Sequence, residues 1–374
     1  MGLSLVWLTR RLRHPPDRGD LAVAVDREAR KFAHQRFRHG LVVGVYKDGR
    51  SAIRCHGRLA STTADPPHAE TTFQIASVSK LFTASLLQAL SEDGVARLDT
   101  TLAEAIGARW PLAPVVRGIT LRQLATHTSG LASIPAPLQD EVEAACRAAG
   151  QDPLDDPYSH LGPERIFGYL ATADDAQPPG RFVYSNFGMG LLGHVLEHLT
   201  GDAYESLVRR KLLEPLGMTG THITLTPELR ARMAAGHDAQ GQPAGLWHFA
   251  SLHGAGAWAS NVHDLLTFIR ASLEPGTPAA ARFDAMRAPQ FGGDTGLGWM
   301  QPMFLDRVFG NHGVVWHNGM VGGYAAYLSI DPATRSGTVV LANQAVDVTL
   351  LGILITRQVR TQSWAGTSGA GRAA

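Results

Sequence analysis

Hydrophobic positions follow strand-like patterns near both ends of the chain, and helix-like patterns dominate the region between them. Apolar residues recur at helical spacing over 21–32, which predicts an amphipathic first helix. The continuous apolar run 41–46 predicts a buried strand, and Asp48-Gly49 is typical of a two-residue hairpin turn. Residues 51–59 are therefore expected to return as the antiparallel partner of that strand.

The middle of the chain has the periodicity of helices. Apolar residues follow Ser77 at helical spacing as far as Gly94. Residues 95–240 then show helical runs that proline and glycine interrupt, without a convincing strand pattern. Within this region we predict short helices over 120–125, 188–199 and 204–213.

Strand character returns toward the C-terminus, in the segments 313–316, 324–330 and 338–343. A turn at Asp331 separates the last two segments, and an amphipathic helix is predicted over 348–359. An N-terminal hairpin and C-terminal strands that share one sheet, with helices inserted between them, form an α+β fold. The pattern thus predicts an antiparallel sheet flanked by helices, with an inserted, mostly helical region.

This layout divides the chain into two lobes and two tails. The α/β lobe is discontinuous and combines residues 20–85 with 246–361, and the mostly helical lobe covers residues 86–245. Residues 1–19 are predicted to form an N-terminal tail, and the glycine-rich segment 362–374 a disordered tail. A cleft between the lobes is the expected place for a binding site.

The composition is that of an ordinary globular protein. The 34 lysine and arginine residues balance 33 aspartate and glutamate residues and form no basic stripe, so no nucleic-acid partner is expected. The two cysteines, Cys55 and Cys146, are expected to be unpaired core thiols. Nothing in the sequence indicates a cofactor, and the oligomeric state is not readable from it.

The N-terminal segment is apolar over residues 3–8, and arginines follow it. A secretory signal has its cations before a longer apolar region, so no signal peptide is expected. The run is also too short to span a bilayer. The location stays open, with the cytoplasm favoured, and Trp7 and Leu8 beside arginines would allow peripheral contact with a membrane.

Ser77-Val78-Ser79-Lys80 stands where a helix is predicted to begin. Residues three apart share a helix face, so the Ser77 hydroxyl and the Lys80 amine can come within hydrogen-bonding reach. A serine hydroxyl becomes a good nucleophile when a base takes its proton, and lysine is such a base where its pKa is lowered. The alternative is a helix-capping serine followed by a solvated lysine.

Two later motifs follow this tetrad, Tyr184-x-Asn186 before a helical run and His317-x-Gly319 between two strand-like segments. The order S-x-x-K, Y-x-N, then a basic residue-x-G resembles the penicillin-recognising serine hydrolases. Within that superfamily the chain is most similar to the class C β-lactamase branch, with its esterases, D-amino-acid peptidases and amide hydrolases. The resemblance covers roughly residues 25–345 and includes the supporting segments 127–131, 214–218 and 254–260.

The resemblance implies a β-lactamase/transpeptidase-like fold and a site for acyl transfer. In the family pattern Ser77 is the nucleophile and Lys80 is its base. Tyr184 then relays a proton to the leaving group and later activates water, and we expect Lys80 to lower its pKa below the usual value of about 10.

The remaining residues of the pattern hold the substrate. Asn186 is expected to orient Lys80 and to exchange hydrogen bonds with the substrate. The backbone N–H groups of Ser77 and of Met320, which follows Gly319 on an edge strand, are expected to bind the oxyanion.

His317 departs from the family pattern, because β-lactamases and transpeptidases usually carry lysine at this position. A histidine has a reference pKa of about 6.5, so we expect anion binding here to be weaker and dependent on pH. This lowers the expectation of β-lactamase activity and favours a neutral ester, an amide or a D-amino-acid derivative. The alternative is a structural histidine packed beside Trp316.

The sequence thus predicts a serine hydrolase that acts through an acyl-enzyme on a small-molecule or short-peptide ester or amide. One alternative is a non-catalytic scaffold that binds peptides or β-lactams as a sensor. A second is a zinc hydrolase, because His194, Glu197 and His198 match the H-x-x-E-H signature. The apolar face of that helix already accounts for the segment, and no third ligand stands out, so no metal is expected.

Overall fold

The computed structural model describes residues 20–36, 39–291, 295–302 and 304–364. The predicted N-terminal tail, residues 1–19, lies outside the described residues, together with its apolar segment and arginines. Among the helices that are described, none is both long enough and apolar enough to cross a membrane.

The predicted C-terminal tail, 362–374, begins too early. Gln362 and Trp364 are buried, and the indole Nε1 of Trp364 donates a hydrogen bond of 3.0 Å to the carbonyl oxygen of Lys47. A large apolar ring with a satisfied N–H is enough to keep this short segment on the fold. The rest of the predicted tail lies outside the described residues.

A five-stranded sheet with the strand order β2-β1-β7-β6-β5 forms the centre of the fold. β1 pairs with both β2 and β7, so the N-terminal hairpin and the C-terminal strands share one sheet. Every pairing in it is antiparallel, which confirms the predicted fold class. The strands are β1 (Leu41–Lys47), β2 (Arg50–His56), β3 (Phe73–Gln74), β4 (Ala259–Ser260), β5 (Val315–Val321), β6 (Tyr324–Asp331) and β7 (Ser336–Ala342).

The first hairpin turns where the sequence predicts it. Asp48 and Gly49 have φ angles of 48° and 80°, both in the left-handed region. A two-residue turn of this kind matches the twist of the flanking strands, and aspartate and glycine adopt it readily. The turn fixes the register of the hairpin, in which Lys47 pairs with Arg50.

The His317 motif lies within β5, which corrects the prediction that it lies between two strands. β5 continues to Val321 because its main chain pairs with β6 along its whole length, including the pair His317 and Leu328. The motif has polar side chains, which interrupt the apolar pattern, so the sequence did not predict that the strand continues through it. A second sheet, formed by β3 and β4, is too short to give a period and was not predicted.

Helices cover both faces of the central sheet and fill the region between residues 86 and 245. They are α1 (Leu21–Arg36), α2 (Lys80–Glu92), α3 (Leu102–Ile106), α4 (Pro114–Arg117), α5 (Leu121–Ala125), α6 (Ala136–Ala149), α7 (Pro163–Thr172), α8 (Asn186–Thr200), α9 (Tyr204–Val208), α10 (Glu214–Leu216), α11 (Pro227–Ala231), α12 (His253–Gly256), α13 (Val262–Leu273), α14 (Pro278–Arg287), α15 (Phe304–Val308) and α16 (Thr349–Thr361). Residues 95–240, all of which are described, contain no strand beyond isolated bridges, as predicted.

Two hydrophobic cores lie on opposite faces of the sheet. Val43 and Val340 face the core that α1 and α16 cover. Val42 and Leu341 face the larger core, which continues into α2, α8 and α13. We propose that this second core joins the α/β lobe to the helical lobe, with α2 running between them.

Candidate active site

Ser77 lies in a 3-10 turn, Ala76–Ser79, that leads directly into α2. Ala76 has a φ of 48°, which turns the chain sharply just before the serine. Strand β5 packs against this turn so closely that a Cβ on Gly319 would lie 2.5 Å from the backbone nitrogen of Ser77. Position 319 therefore requires glycine, and its contact brings the edge of the sheet to the nucleophile candidate.

Lys80 is completely buried, and its amine has three polar neighbours. The Nζ atom lies 2.9 Å from Ser77 Oγ, 2.7 Å from Asn186 Oδ1 and 2.6 Å from the carbonyl oxygen of Ala255. The amide oxygen and the carbonyl oxygen only accept hydrogen bonds, whereas a serine hydroxyl also donates. A neutral amine, with two N–H bonds and one lone pair, therefore fits this site and turns its lone pair toward Ser77.

Burial also determines the charge of Lys80. Loss of hydration lowers the pKa of its amine well below 10.5. The nearby carbonyl and amide oxygens are dipoles, not full negative charges, so they offset the loss of water only in part. Lys80 is thus suited to accept a proton at neutral pH, which an exposed lysine is not.

Tyr184 lies just before α8, with its ring 5.0 Å from Lys80 Nζ. Burial raises the pKa of its phenol above the usual value of about 10, and hydrogen bonding to Ser77 opposes this only partly. The prediction that this pKa lies below its usual value is therefore wrong, because burial of Tyr184 disfavours the charged phenolate. Tyr184 is thus a neutral phenol beside Ser77 and Lys80.

Asn186 is the first residue of α8, and the preceding Ser185 caps the helix by accepting from Gly188 N–H. The Asn186 Oδ1 atom accepts a hydrogen bond from Lys80. The Asn186 Nδ2 atom donates to the Tyr158 hydroxyl at 2.8 Å and to Ser133 Oγ at 3.3 Å. The side-chain amide is thus fixed in one orientation, which presents only its oxygen to Lys80.

His317 is 1% exposed, and its Nδ1 lies 2.6 Å from the carbonyl oxygen of Asn318. A carbonyl only accepts, so Nδ1 carries the ring proton and Nε2 carries a lone pair. Burial lowers the pKa of His317 to about 3, and a charged Lys80 nearby would act in the same direction. This burial removes the physical basis of the expected pH-dependent anion binding, because it disfavours a charged ring near neutral pH.

The N–H of Met320 points to the outer edge of β5. Trp316 exchanges backbone hydrogen bonds of 2.9 and 3.1 Å with Met300 on that edge. Backbone groups of alternate residues in a strand point the same way, so the N–H of Met320 points outward like that of Trp316. Gly319, the residue before Met320, packs against the backbone nitrogen of Ser77. The assignment of these two N–H groups as oxyanion donors stays a prediction.

His127 was not predicted as a site residue. Its ring lies 4.4 Å from the Tyr184 ring, and its Nδ1 accepts a hydrogen bond of 3.1 Å from Ser185 N–H. Burial lowers its pKa well below 6.5, which keeps Nδ1 available as an acceptor. His127 therefore fixes the segment that carries Tyr184. The polar segment His127-Thr128-Ser129 has the pattern of an exposed turn. In the structure it is buried, and the sequence gives no sign of that burial.

Tyr158 was also missed, although its hydroxyl accepts from Asn186. It is buried, and burial raises its pKa to about 12, so the phenol is neutral. No motif or periodicity marks it, because it lies in an irregular segment between α6 and α7. Its contact with Asn186 exists only in the folded chain.

The residues of the zinc alternative have structural partners. His194 Nδ1 lies 3.2 Å from Glu197 Oε2, Glu197 Oε1 accepts from the backbone N–H of Tyr204, and His198 packs edge-on against Trp110. Within the described part of the chain, no three histidine, cysteine, aspartate or glutamate side chains are grouped to hold a metal ion. The segment thus ties α8 to its neighbours.

Known proteins resemble this chain over most of its length. The chain is 32% identical over 296 residues to "Putative beta-lactamase-like 1" of Homo sapiens, a match that covers 74% of the chain but only 54% of the human protein. It thus spans about half the length of that relative. The "Beta-lactamase" of Pseudomonas fluorescens is 26% identical over 363 residues, which cover 87% of the chain and 94% of that protein.

The fold also matches a solved structure. A β-lactamase/D-alanine carboxypeptidase from Pseudomonas syringae superposes with a TM-score of 0.76 at 20% identity, covering 91% of this chain and 98% of that one. A sequence model of the Beta-lactamase family matches residues 25–357. The chain therefore belongs to the Beta-lactamase family.

Proposed function

We propose that the chain hydrolyses an ester or amide bond through a covalent acyl-enzyme on Ser77. The environment of Lys80 carries this proposal: a wholly buried amine lies 2.9 Å from Ser77 Oγ, and its other two neighbours only accept hydrogen bonds. A neutral amine in this place is a base for the serine proton. The relative from Pseudomonas fluorescens, a β-lactamase by name, supports acyl transfer as the chemistry.

In the acylation step, Lys80 accepts the Ser77 proton while Ser77 Oγ forms a bond to the carbonyl carbon of the substrate. The carbonyl oxygen becomes an oxyanion between the N–H groups of Ser77 and Met320. The bond to the leaving group then breaks, and Tyr184 donates its proton to the departing atom while it takes back the proton from Lys80. Water repeats these transfers in deacylation, which releases the acid and restores Ser77.

We further propose that a neutral substrate is preferred to an anionic one. His317 occupies the position of the family lysine, but its buried ring, with a pKa of about 3, supplies no cation. A substrate carboxylate placed beside it would lose water and gain no opposite charge. Neutral esters and amides avoid this cost.

Replacement of His317 by lysine should shift this preference toward anions. We expect the ratio of kcat/KM for an anionic ester to that for a matched neutral ester to rise about tenfold, which corresponds to about 1.4 kcal/mol from a partly screened ion pair. In the parent enzyme, titration of His317 should cause no change in kcat/KM for either ester as the pH passes through neutrality. Stopped-flow or steady-state kinetics on the ester pair measure both effects.

The matched control is His312→Lys, which adds the same charge at an exposed position a few residues earlier in the chain. It should leave the ratio unchanged. If the parent enzyme prefers the anionic ester, or if folded His317→Lys leaves the ratio as it was, the proposed preference for neutral substrates is wrong.

A further inference from the structure

His127 binds the backbone on both sides of Tyr184. Its carbonyl oxygen accepts a hydrogen bond of 2.7 Å from the N–H of Val183, and its Nδ1 accepts one of 3.1 Å from the N–H of Ser185. Its ring also packs against the ring of Tyr184, with centroids 4.4 Å apart and planes at 32°. One residue therefore contacts both chain neighbours of the tyrosine and the tyrosine ring itself.

The conformation of His127 costs energy. Its φ of 57° lies in the left-handed region, which is strained for a residue other than glycine. The residue is also 1% exposed, and burial lowers the pKa of its ring well below 6.5, so Nδ1 keeps the lone pair that Ser185 N–H needs. Strained residues of this kind persist where the surrounding contacts hold them, and they are frequent at active sites.

The contact between His127 and the Tyr184 segment is one part of a longer contact between two stretches of chain, 127–133 and 177–187. Three more backbone hydrogen bonds of 2.8 to 2.9 Å join these stretches, from Gln177 to Gly130, from Gly180 to Thr128 and from Phe187 to Ser133. A Cβ on Gly130 would overlap the carbonyl oxygen of Gln177, so the two stretches meet without room for a side chain there. His127 is thus held firmly enough to hold another residue.

We propose that His127 is a positioning residue for Tyr184, and that its hydrogen bonds hold the Tyr184 hydroxyl where it protonates the leaving group. This inference rests on the proposed function. In that step the bond from the acyl carbon to the leaving oxygen breaks, and Tyr184 gives this oxygen its proton while it takes one from Lys80. A tyrosine side chain has two rotatable bonds, so the position of its backbone largely determines where its hydroxyl lies.

A displaced Tyr184 should affect some leaving groups more than others. A weakly basic leaving group such as p-nitrophenolate departs with little help from an acid, whereas the more basic phenolate needs a proton as its bond breaks. Loss of positioning should therefore slow acylation by a phenyl ester more than acylation by the p-nitrophenyl ester of the same acid. A purely structural defect would reduce both rates by the same factor, because it lowers the amount of active enzyme.

The test compares kcat/KM for phenyl acetate and p-nitrophenyl acetate. His127→Phe keeps an aromatic ring but leaves Ser185 N–H without its acceptor, and it should lower the ratio of phenyl to p-nitrophenyl acetate about tenfold, a part of what a positioned acid contributes. His127→Asn carries an acceptor oxygen close to the place of Nδ1 and tolerates the left-handed backbone, so it should recover most of the lost ratio. The matched control is His198→Phe, because His198 packs on Trp110 near the far end of α8, and it should leave the ratio unchanged.

A second variant guards against loss of folding in His127→Phe. His127→Gly also lacks an acceptor side chain, and glycine adopts a φ of 57° without strain, so it should show the same fall in the ratio. Circular dichroism identifies the folded variants. In a Tyr184→Phe background, either variant should cause no further fall, because no hydroxyl is left to position.

Three results would each overturn this inference: the parent ratio in a folded His127→Phe or His127→Gly, a fall in His127→Asn as large as in His127→Phe, or an undiminished fall in the Tyr184→Phe background. Failure of the proposed function gives a different result. If Ser77 is never acylated by either ester, or if Tyr184→Phe alone leaves the ratio unchanged, the proposed chemistry has failed, and His127 has no acid to position.

Discussion

Ser77→Ala should reduce kcat/KM for every substrate of the parent enzyme by a factor on the order of 10⁴ or more, because loss of the nucleophile disables the whole catalytic group. The fold should persist, since Ser77 is only partly buried and its hydroxyl is linked to Lys80 by one hydrogen bond. Any residual rate would come from substrate binding and the oxyanion donors alone. Steady-state kinetics with an ester panel, together with the melting temperature, measures both quantities.

The matched control is Ser85→Ala on the same helix, α2. Ser85 is buried, and its hydroxyl donates to the carbonyl oxygen of Leu81 within the helix, away from the site. This variant should keep its turnover within a few-fold of the parent. Wild-type turnover by Ser77→Ala would show that the nucleophile is another residue.

Lys80→Met and Tyr184→Phe should each reduce kcat/KM by roughly 10²- to 10⁴-fold, the usual contribution of a positioned acid or base. The double variant should be little slower than the slower single variant, because Lys80 and Tyr184 act in the same proton-transfer path, and loss of either one interrupts it. Methionine keeps most of the volume of the buried lysine and removes its basic atom. A double-mutant cycle in kcat/KM measures this coupling, and additive effects would place the two residues in separate steps.

The pH dependence of stability checks the same assignment without kinetics. The folded-state pKa of Lys80 is depressed below the unfolded value of 10.5, so between these two values the unfolded chain binds one proton more than the folded chain. The contribution of Lys80 to stability should therefore rise with pH across that window. Lys80→Met should lack this part of the slope in denaturant unfolding curves, and an identical slope in both proteins would mean that Lys80 is not buried as a neutral amine.

Local pattern was enough to predict the main features of the fold. The apolar run 41–46, the turn at Asp48 and the last strand segments reflect short-range rules, and the sheet that they form matches the prediction. The helix α6 was missed although Leu138, Val142 and Cys146 mark its buried side at four-residue spacing. Its other positions are mostly polar, so that signal is weak.

The motifs predicted which residues meet in the site better than they predicted the charges there. Ser77, Lys80, Asn186 and Gly319 lie together as the family order implies. The pKa of Tyr184 was predicted in the wrong direction, because it depends on burial by residues far away in the chain. A motif names the groups in a site but not the amount of water that the fold leaves around them.

The most direct test of the proposed acyl-enzyme is peptide-mapping mass spectrometry after rapid acid quench. The protein is mixed with p-nitrophenyl octanoate, quenched at successive times and digested. We predict an octanoyl mass increase on Ser77 that appears while p-nitrophenol is released and disappears when the ester is consumed. Turnover with the acyl group on another residue, or without any adduct, would contradict this mechanism, and a permanent adduct without turnover would instead identify a binding scaffold.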